Sequence, residues 1–287
     1  MNKTSAVQTI GILTSGGDAP GMNAALRAVA RTAWARGIDV KGIYRGYSGL
    51  LNDEIFDMEK EFTCDIISRG GTALFTARCE EFKQLEYQEK AAEILRSHNI
   101  DGLVVIGGDG SFRGAQKLSA QGINTVALPG TIDLDIACTE YTIGFDTAVK
   151  NLRAGGIEVI VHTILGLPGE SRKDILETMA YLNAMDIQGI KLQLLHVLRG
   201  TDLAADHEAG LFRTYERDEY LNLVIDCLEH LRPDIVIHRV TGDGPKDLLI
   251  APLWASRKRE VLNLLHHRMK ERASFQGKAL EALSRSQ

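Results

Sequence analysis

The chain has 287 residues, a formal net charge of −5 and a hydrophobic content of 44%. This length suits one large or two small domains, and the composition is that of an ordinary globular protein. No apolar run reaches the roughly 18 residues of a membrane-spanning helix, and the short polar N-terminus predicts no signal peptide. The negative charge gives no general electrostatic reason to bind nucleic acid, so we do not expect it as a partner.

Four scattered cysteines indicate neither a zinc ribbon nor an iron–sulfur site. They are Cys64, Cys79, Cys138 and Cys227, with no CxxC or CxxxCxxC spacing among them. Since the ligands of such clusters are closely spaced, no iron–sulfur cluster is expected. We expect reduced thiols in a cytoplasmic protein.

Short apolar runs alternate with amphipathic stretches along the whole chain, which predicts an α/β fold with a largely parallel sheet. The predicted strands are 9–13, 40–44, 103–106, 124–128, 158–165, 189–195 and 235–238. The predicted helices are 22–36, 86–97, 145–155, 173–184, 218–231 and 256–272. The polar residues from 278 onward are expected to fray.

The character of the sequence changes near residue 149, inside one predicted helix and without a flexible linker. We therefore divide the chain into two regions, 1–150 and 151–287. Each region by itself would leave an unpaired sheet edge. We expect the strands of the two regions to pair with each other, because that is the simplest way to cover both edges.

Glycine-rich turns in the first region suit a phosphate site. The glycines of 15–18 and 107–111 let the backbone approach an anion closely, and the helix after each turn offers free N–H groups. Asp109 stands where a carboxylate could hold Mg²⁺ beside phosphate oxygens. In open α/β sheets, ligands bind at such carboxyl ends of strands.

Two carboxylates follow a third strand of the same region. Asp133 and Asp135 are two residues apart, so on an extended segment they point the same way. One of them could accept a hydroxyl proton while the other lies near a metal ion. Thr131 precedes them at the end of the strand.

These motifs resemble those of the 6-phosphofructokinase family over about residues 9–149. The matching segments are 10–27, 69–72, 76–78, 107–111, 129–135 and 141–145. The resemblance implies a Rossmann-like parallel sheet that binds ATP and Mg²⁺. It also implies transfer of the γ-phosphoryl group of ATP to fructose 6-phosphate, a step of glycolysis.

The same resemblance assigns roles to individual residues. The residues implied to bind ATP are Gly17, Tyr47, Arg78, Cys79, Gly108, Asp109, Gly110, Ser111 and Gly114. Among them, Tyr47 would lie near the base or ribose of the nucleotide. Asp109 would also hold Mg²⁺. The implied catalytic residues are Thr131, Asp133 and Asp135, with Asp133 as the general base.

Three further features bear on the same resemblance. Members that use pyrophosphate have bulkier residues at the positions of Gly110 and Gly130, so glycine at both favours ATP. Leu134 departs from the family pattern, which has Asn there. Arg27 and Arg31 resemble the basic pair that receives effector phosphates in bacterial members, although an exposed helix face explains them equally well. That effector site needs a neighbouring subunit, so a homo-oligomer stays open.

The second region carries other motifs and lacks the sugar-phosphate residues expected from that family. Segments 162–170, 189–201, 237–245 and 251–254 resemble the C-terminal half of an uncharacterised bacterial radical S-adenosylmethionine (radical SAM) family, over about residues 152–277. The resemblance implies βα units of a partial TIM-type barrel. The CxxxCxxC loop that holds the cluster of such enzymes is absent, so we expect no radical chemistry.

Three histidines lie on or near the ends of predicted strands, which has two interpretations. His162, His196 and His238 could form a three-histidine metal site. They could instead be polar residues that line a former cofactor cleft, and we favour this second interpretation.

The chain thus resembles a chimera, whether natural, engineered or artefactual, and three functional hypotheses stay open. The first is a phosphofructokinase-like protein that binds ATP or ADP, with weak or no phosphoryl transfer to fructose 6-phosphate because the sugar-binding half is missing. The second is a non-catalytic or engineered chimeric α/β protein. The third is a radical-SAM-derived protein without iron–sulfur chemistry.

Overall fold

A computed structural model describes residues 7–133, 136, 139, 141–242 and 244–284. The chain divides into two compact units, Met1–Ala148 and Val149–Gln287. Among the residues singled out from the sequence, Leu134, Asp135 and Cys138 lie outside the described residues.

The first unit is built on a five-stranded sheet in the order β3-β2-β1-β4-β5. Its strands are β1 (Thr9–Thr14), β2 (Asp39–Ile43), β3 (Ile55–Asp57), β4 (Gly102–Gly107) and β5 (Asn124–Pro129). Its helices are α1 (Met22–Ala35), α2 (Gly46–Leu51), α3 (Leu85–Ser97) and α4 (Asp109–Ala120). All neighbouring strands are parallel except β2 and β3, which pair antiparallel.

Apolar side chains cover both faces of this sheet, as expected for parallel strands with helices on either side. Successive residues of a strand point to opposite faces, so β1 contributes to two separate clusters. Ile12 packs in a cluster with Leu26 of α1. Leu13 packs in the other cluster, with Leu95 of α3 and Val105 of β4. The buried strands thereby fix where their carboxyl ends emerge.

The second unit contains a parallel three-stranded sheet in the order β6-β7-β9 and an antiparallel pair, β8 and β10. Its strands are β6 (Ile160–Leu165), β7 (Gly189–Leu194), β8 (Val197–Leu198), β9 (Val236–Arg239) and β10 (Leu249–Ala251). Helix α5 (Phe145–Ala154) contains the boundary between the units. The later helices are α6 (Arg172–Asn183), α7 (Asp202–Glu208), α8 (Arg217–His230), α9 (Lys258–Glu271) and α10 (Lys278–Ser284).

Only one face of the three-stranded sheet is buried. Ile190, Leu192 and Leu194 of β7 are buried and lie on this face. On the opposite face, Ile160 of β6 is 36% exposed and Val236 of β9 is 57% exposed. We call this opposite side the open face.

The predicted α/β class with parallel sheets is confirmed, but the expected pairing of the two regions is wrong. Strands β5 and β6 belong to different sheets. Strand β6 instead pairs with β7, over six register positions within its own unit. Residues 278–284 form α10 instead of fraying. The start of α10 is fixed to α8, because the Gly277 N–H donates to the Leu228 carbonyl oxygen at 3.0 Å.

Two further observations concern the whole described chain. None of its described helices is both long and apolar enough to cross a membrane. Cys64, Cys79 and Cys227 are free cysteines, and Cys227 is buried.

A shared carboxylate ties three helices of the second unit together. Asp226 of α8 is only 9% exposed. Its Oδ2 accepts from Arg172 Nε at 3.0 Å, and its Oδ1 accepts from Arg272 Nη2 at 2.7 Å. Arg172 is the first residue of α6 and Arg272 follows the end of α9, so a single side chain holds both helices against α8.

We expect Asp226→Ala to lower the free energy of unfolding by about 2–3 kcal/mol, because both guanidinium groups lose a nearly buried partner. Chemical denaturation followed by circular dichroism measures the change. Asp206→Ala, on the exposed side of α7, is the matched control and should change stability by less than about 0.5 kcal/mol. Equal effects of the two substitutions would contradict this account of Asp226.

Candidate functional site

The loops after β1, β4 and β5 meet at one edge of the first sheet. Thr14 is the register partner of Ile106, and Gly107 is the partner of Pro129, so the three strands end side by side. The sheet order places β2 and β4 on opposite sides of β1. Such a switch point opens a crevice at the carboxyl ends of the strands, where ligands bind in open α/β sheets.

A cleft of about 560 Å³ lies at this edge. This volume is within the roughly 300–1,000 Å³ of small-molecule sites. The residues that line it are Ser15, Gly16, Gly17, Asp18, Ala19, Tyr47, Ala77, Arg78, Cys79, Glu80, Gly108, Asp109, Gly110, Ser111, Thr131, Ile132 and Asp133. The cleft therefore brings together most of the residues predicted from the sequence, including Thr131 and Asp133.

The glycine-rich turn after β4 brings two backbone segments into contact and leads into a helix. A Cβ on Gly107 would lie 2.4 Å from the Ser15 carbonyl oxygen, so only glycine lets the β1 and β4 turns approach this closely. Helix α4 begins at Asp109, and its cap residue Gly108 has no side chain to satisfy the first N–H groups. Those groups and the positive end of the helix dipole are available to an anion in the cleft.

Tyr47 lines the cleft and supports the first turn of α4. It is 5% exposed, and its hydroxyl donates to the Ser111 carbonyl oxygen at 2.6 Å. Its ring stacks on Phe82 with centroids 4.3 Å apart, and burial raises the pKa of its phenol. Gly114 lies under this ring, because a Cβ there would be 2.5 Å from Tyr47 Cζ. Gly114 itself is not among the residues that line the cleft.

Asp109 is the carboxylate closest to the helix start. Its Oδ2 accepts from Arg113 Nε at 2.9 Å, and both side chains are about half exposed, at 48% and 61%. Within the described part of the chain, no group of three or more His, Cys, Asp or Glu side chains could hold a metal ion. Mg²⁺ that arrives with a nucleotide needs only one or two carboxylates besides phosphate oxygens and water. Asp109 fits that requirement.

Thr131 and Asp133 face the cleft from the end of β5. Thr131 is 9% exposed, and its hydroxyl oxygen accepts from the Asp133 N–H at 3.0 Å. Asp133 is exposed. This hydrogen bond orders the backbone around Asp133 and leaves its carboxylate facing the cleft.

The two glycines expected to select the donor differ in their surroundings. A Cβ on Gly110 would have no atom within 4 Å, so this position opens onto free space. Gly130 is buried, and a Cβ there would lie 2.8 Å from Ile106 Cγ2. Packing inside the sheet therefore explains glycine at position 130, whereas position 110 borders the cleft.

Glu80 lines the cleft and was missed by the sequence analysis. It forms an ion pair with Lys83 at 2.6 Å, and this hydrogen bond is the main reason that its pKa is lowered. Its neighbour Cys79 has a raised thiol pKa, mainly because of burial. The only sequence signal for Glu80 is its position beside Arg78 and Cys79.

Two buried polar residues position the segment that leads to Arg78, and neither was singled out from the sequence. Asn23 of α1 donates through Nδ2 to the Arg69 carbonyl at 3.2 Å and accepts from the Ala73 N–H at 2.7 Å. The Thr14 hydroxyl donates to the Phe75 carbonyl oxygen at 2.8 Å. Such side-chain to backbone bonds could be found only by knowing which loop meets α1 and the end of β1.

The three-histidine metal interpretation is wrong for the described residues. They contain no group of three His, Cys, Asp or Glu side chains that could hold a metal ion. His162 and His238 lie on β6 and β9, with β7 between them. His196 follows β7 and packs against Gly242 and Gly244.

A matched pair of glycine substitutions tests the backbone contact. We expect Gly107→Ala to lower the free energy of unfolding by about 1–3 kcal/mol, because the new methyl group overlaps the Ser15 carbonyl. Gly110→Ala enters open space within a helix and should change stability by no more than about +1 kcal/mol. Thermal denaturation of both variants measures this, and a harmless Gly107→Ala would contradict the close contact.

Comparison with known proteins divides the chain in two. The family model described as "Phosphofructokinase" matches residues 9–179, and the one described as "Radical_SAM C-terminal domain" matches residues 187–271. An ATP-dependent 6-phosphofructokinase of Clostridium botulinum is 64% identical over 146 residues, which are 51% of this chain and 46% of that protein. The enzyme of the same name from Clostridium acetobutylicum is 65% identical over 146 residues, with the same coverage.

Solved structures agree with this family. The phosphofructokinase of Saccharomyces cerevisiae has a TM-score of 0.51 and 28% identity, over 90% of this chain and 36% of that chain. The Pichia pastoris phosphofructokinase in the T-state has a TM-score of 0.52 and 26% identity, over 93% of this chain and 29% of that chain. The chain spans less than half the length of the first relatives it matches. It belongs to the phosphofructokinase family and carries, after that match, a second part similar to a radical SAM C-terminal domain.

Proposed function

We propose that the first unit binds ATP with Mg²⁺, and that the chain transfers phosphoryl groups to fructose 6-phosphate weakly or not at all. The observation that carries this proposal is the cleft at the ends of β1, β4 and β5. Its volume is about 560 Å³, and it combines glycine-rich backbone, an uncapped helix start and carboxylates.

The phosphates would lie against the start of α4. Gly108 and Gly110 present backbone without side-chain obstruction, and the first N–H groups of the helix need an acceptor. Arg78, which also lines the cleft, would add a positive charge and bidentate hydrogen bonds. The open space at Gly110 leaves room for the nucleoside beyond the phosphates, which favours ATP over pyrophosphate. The printed names of the Clostridium relatives agree with this donor.

Asp109 would hold the Mg²⁺ ion that accompanies the nucleotide. The ion would neutralise phosphate charge, which is its usual contribution to phosphoryl transfer. In the structure, Arg113 forms an exposed ion pair with the Asp109 carboxylate. Such a pair contributes only about 0–1 kcal/mol, so it would give way to the divalent ion at little cost.

Asp133 would act as the general base. Its position beside Thr131 at the cleft allows it to accept the proton of a sugar hydroxyl during attack on phosphorus. The Thr131 hydroxyl would keep the loop in place through its bond to the Asp133 N–H. The proposal also includes Asp135, the second carboxylate of the motif, as a catalytic residue.

Weak turnover follows from what the chain lacks. The match to the ATP-dependent relatives covers 46% of their length, and the remaining half of this chain matches another family in part. Phosphoryl transfer requires the acceptor to be aligned with the donor to within a fraction of an ångström. Without groups that bind the sugar phosphate, the chain would bind ATP and yet transfer its phosphoryl group weakly or not at all.

Nucleotide binding tests the donor site. We expect Mg-ATP to raise the melting temperature and fructose 6-phosphate to add nothing, because we expect the chain to lack the groups that bind the 6-phosphate of the sugar. Asp109→Ala should weaken Mg-ATP binding at least about tenfold, or about 1.4 kcal/mol. Gly110→Asp should abolish it by placing a negative charge beside the phosphates. Asp206→Ala is the control; absence of a shift with any nucleotide would refute the proposal.

A coupled assay with ATP and fructose 6-phosphate tests turnover. We expect a rate at least about 10³-fold below that of the Clostridium acetobutylicum relative measured in parallel, since alignment of the two substrates contributes several kcal/mol. Any residual rate should fall by about 10²-fold or more in Asp133→Asn. A rate equal to that of the relative would show that the second part supplies an acceptor site.

A further inference from the structure

The three-stranded sheet of the second unit carries basic residues and no acidic ones. Its strands read IVHTIL, GIKLQL and VIHR. The charged or titratable residues among them are His162 on β6, Lys191 on β7, and His238 and Arg239 on β9. We call these four residues the basic row.

The strand register brings the basic row together. His162 and Lys191 are register partners across β6 and β7. Lys191 and Arg239 are register partners across β7 and β9, after a bulge that shifts the register by one residue. Without that bulge His238 would stand opposite Lys191. Lys191 thus has His162 as its register partner on β6 and Arg239 as its register partner on β9, and His238 is the extra residue of the bulge.

His238 joins the row through a glycine. A Cβ on Gly189 would lie 2.6 Å from the His238 ring, so the ring occupies the space that a side chain on β7 would fill. Gly189 and Lys191 are two residues apart and face the same side of the sheet. The imidazole is thereby placed next to Lys191 on the open face.

The charges of this row have no counter-charge within the described part of the chain. Neither Lys191 nor Arg239 forms an ion pair there, although many other basic residues do. The pKa of His162 is lowered, first by desolvation and further by the charges of Lys191 and Arg239. The two positive charges therefore disfavour the protonated ring. Like charges at directly opposed sheet positions are destabilising. A bound anion would relieve the repulsion between Lys191 and Arg239 and would favour the protonated ring of His162.

We propose that the basic row binds a small multivalent oxyanion of the phosphate class, at a site separate from the nucleotide cleft. Each member can donate a hydrogen bond to a phosphate oxygen, and Arg239 can do so bidentately. The flanking aliphatic residues Ile160, Ile164 and Val236 are 36%, 47% and 57% exposed. They provide an apolar border, so an organic phosphate suits the face better than a free ion.

A polynucleotide fits this face less well. Proteins that bind single strands on a sheet combine basic groups with aromatic side chains on which bases stack. None of the three strands contains Phe, Tyr or Trp. The net charge of the chain, −5, would also repel a long polyanion. A small anion would instead interact mainly with the nearby charges of the basic row.

The test titrates the full chain with inorganic tripolyphosphate at constant ionic strength and follows the imidazole signals of His162 and His238 by NMR. His162→Gln and His238→Gln assign the signals. We expect the pKa of His162 to rise by about one unit on binding, because an opposite charge within hydrogen-bonding distance favours the protonated ring. The same shift should occur in Gly110→Asp, whose nucleotide cleft is blocked, so this result does not depend on the proposed ATP site.

Charge-matched variants complete the experiment. The double variant Lys191→Gln, Arg239→Gln should lose at least about tenfold in tripolyphosphate affinity measured at the His162 signal. The control double variant Arg259→Gln, Lys270→Gln removes the same charge from the exposed side of α9 and should keep the affinity. Three outcomes would overturn the proposal: no shift of His162, equal losses in both double variants, or binding of an oligonucleotide but not of tripolyphosphate.

Discussion

The first unit depends on one backbone contact, the approach of the β4 turn to the β1 turn at Gly107. The Ser15 carbonyl occupies the space where a side chain would stand at this residue. Because the two turns touch, the start of α4 and the loop after β1 share one cleft. Any residue with a Cβ would force the strands' carboxyl ends apart and separate the backbone groups that would surround a phosphate.

Buried polar side chains support the cleft as well. Tyr47 can hydrogen-bond to the Ser111 carbonyl only because Gly114 leaves room for its ring. On the other side, Asn23 and Thr14 hold the backbone from residue 69 to residue 75. The lining residues thus rest on buried polar groups that have partners, which is the condition for a rigid binding site.

Much of the fold could be predicted because its signals are local. Apolar runs and glycine turns placed most strands and helices within a few residues of their observed ends. The short elements β3, β8 and β10 were missed, since three or fewer residues carry no period. The joining of the two regions into one sheet was predicted wrongly, because strand pairing depends on which partner lies nearest in space.

The candidate site was predicted to a similar extent. The glycine motifs and Asp109, Thr131 and Asp133 were recognised as a group, and they line one cleft. Gly130 shows the limit, because glycine there fits tight packing against Ile106 rather than space for a ligand. The basic row could not be predicted from the sequence either, since a bulge in β9 decides which residue stands beside Lys191.

The basic row also affects whether two copies of the chain associate. Strands β6 and β9 are the outer strands of their sheet, and an outer strand can template pairing with another molecule. Arg239 puts a positive charge on β9, so two copies that meet along this strand repel each other. Self-association along β9 should therefore be weakest in buffers of monovalent anions and should strengthen when polyvalent anions screen this charge.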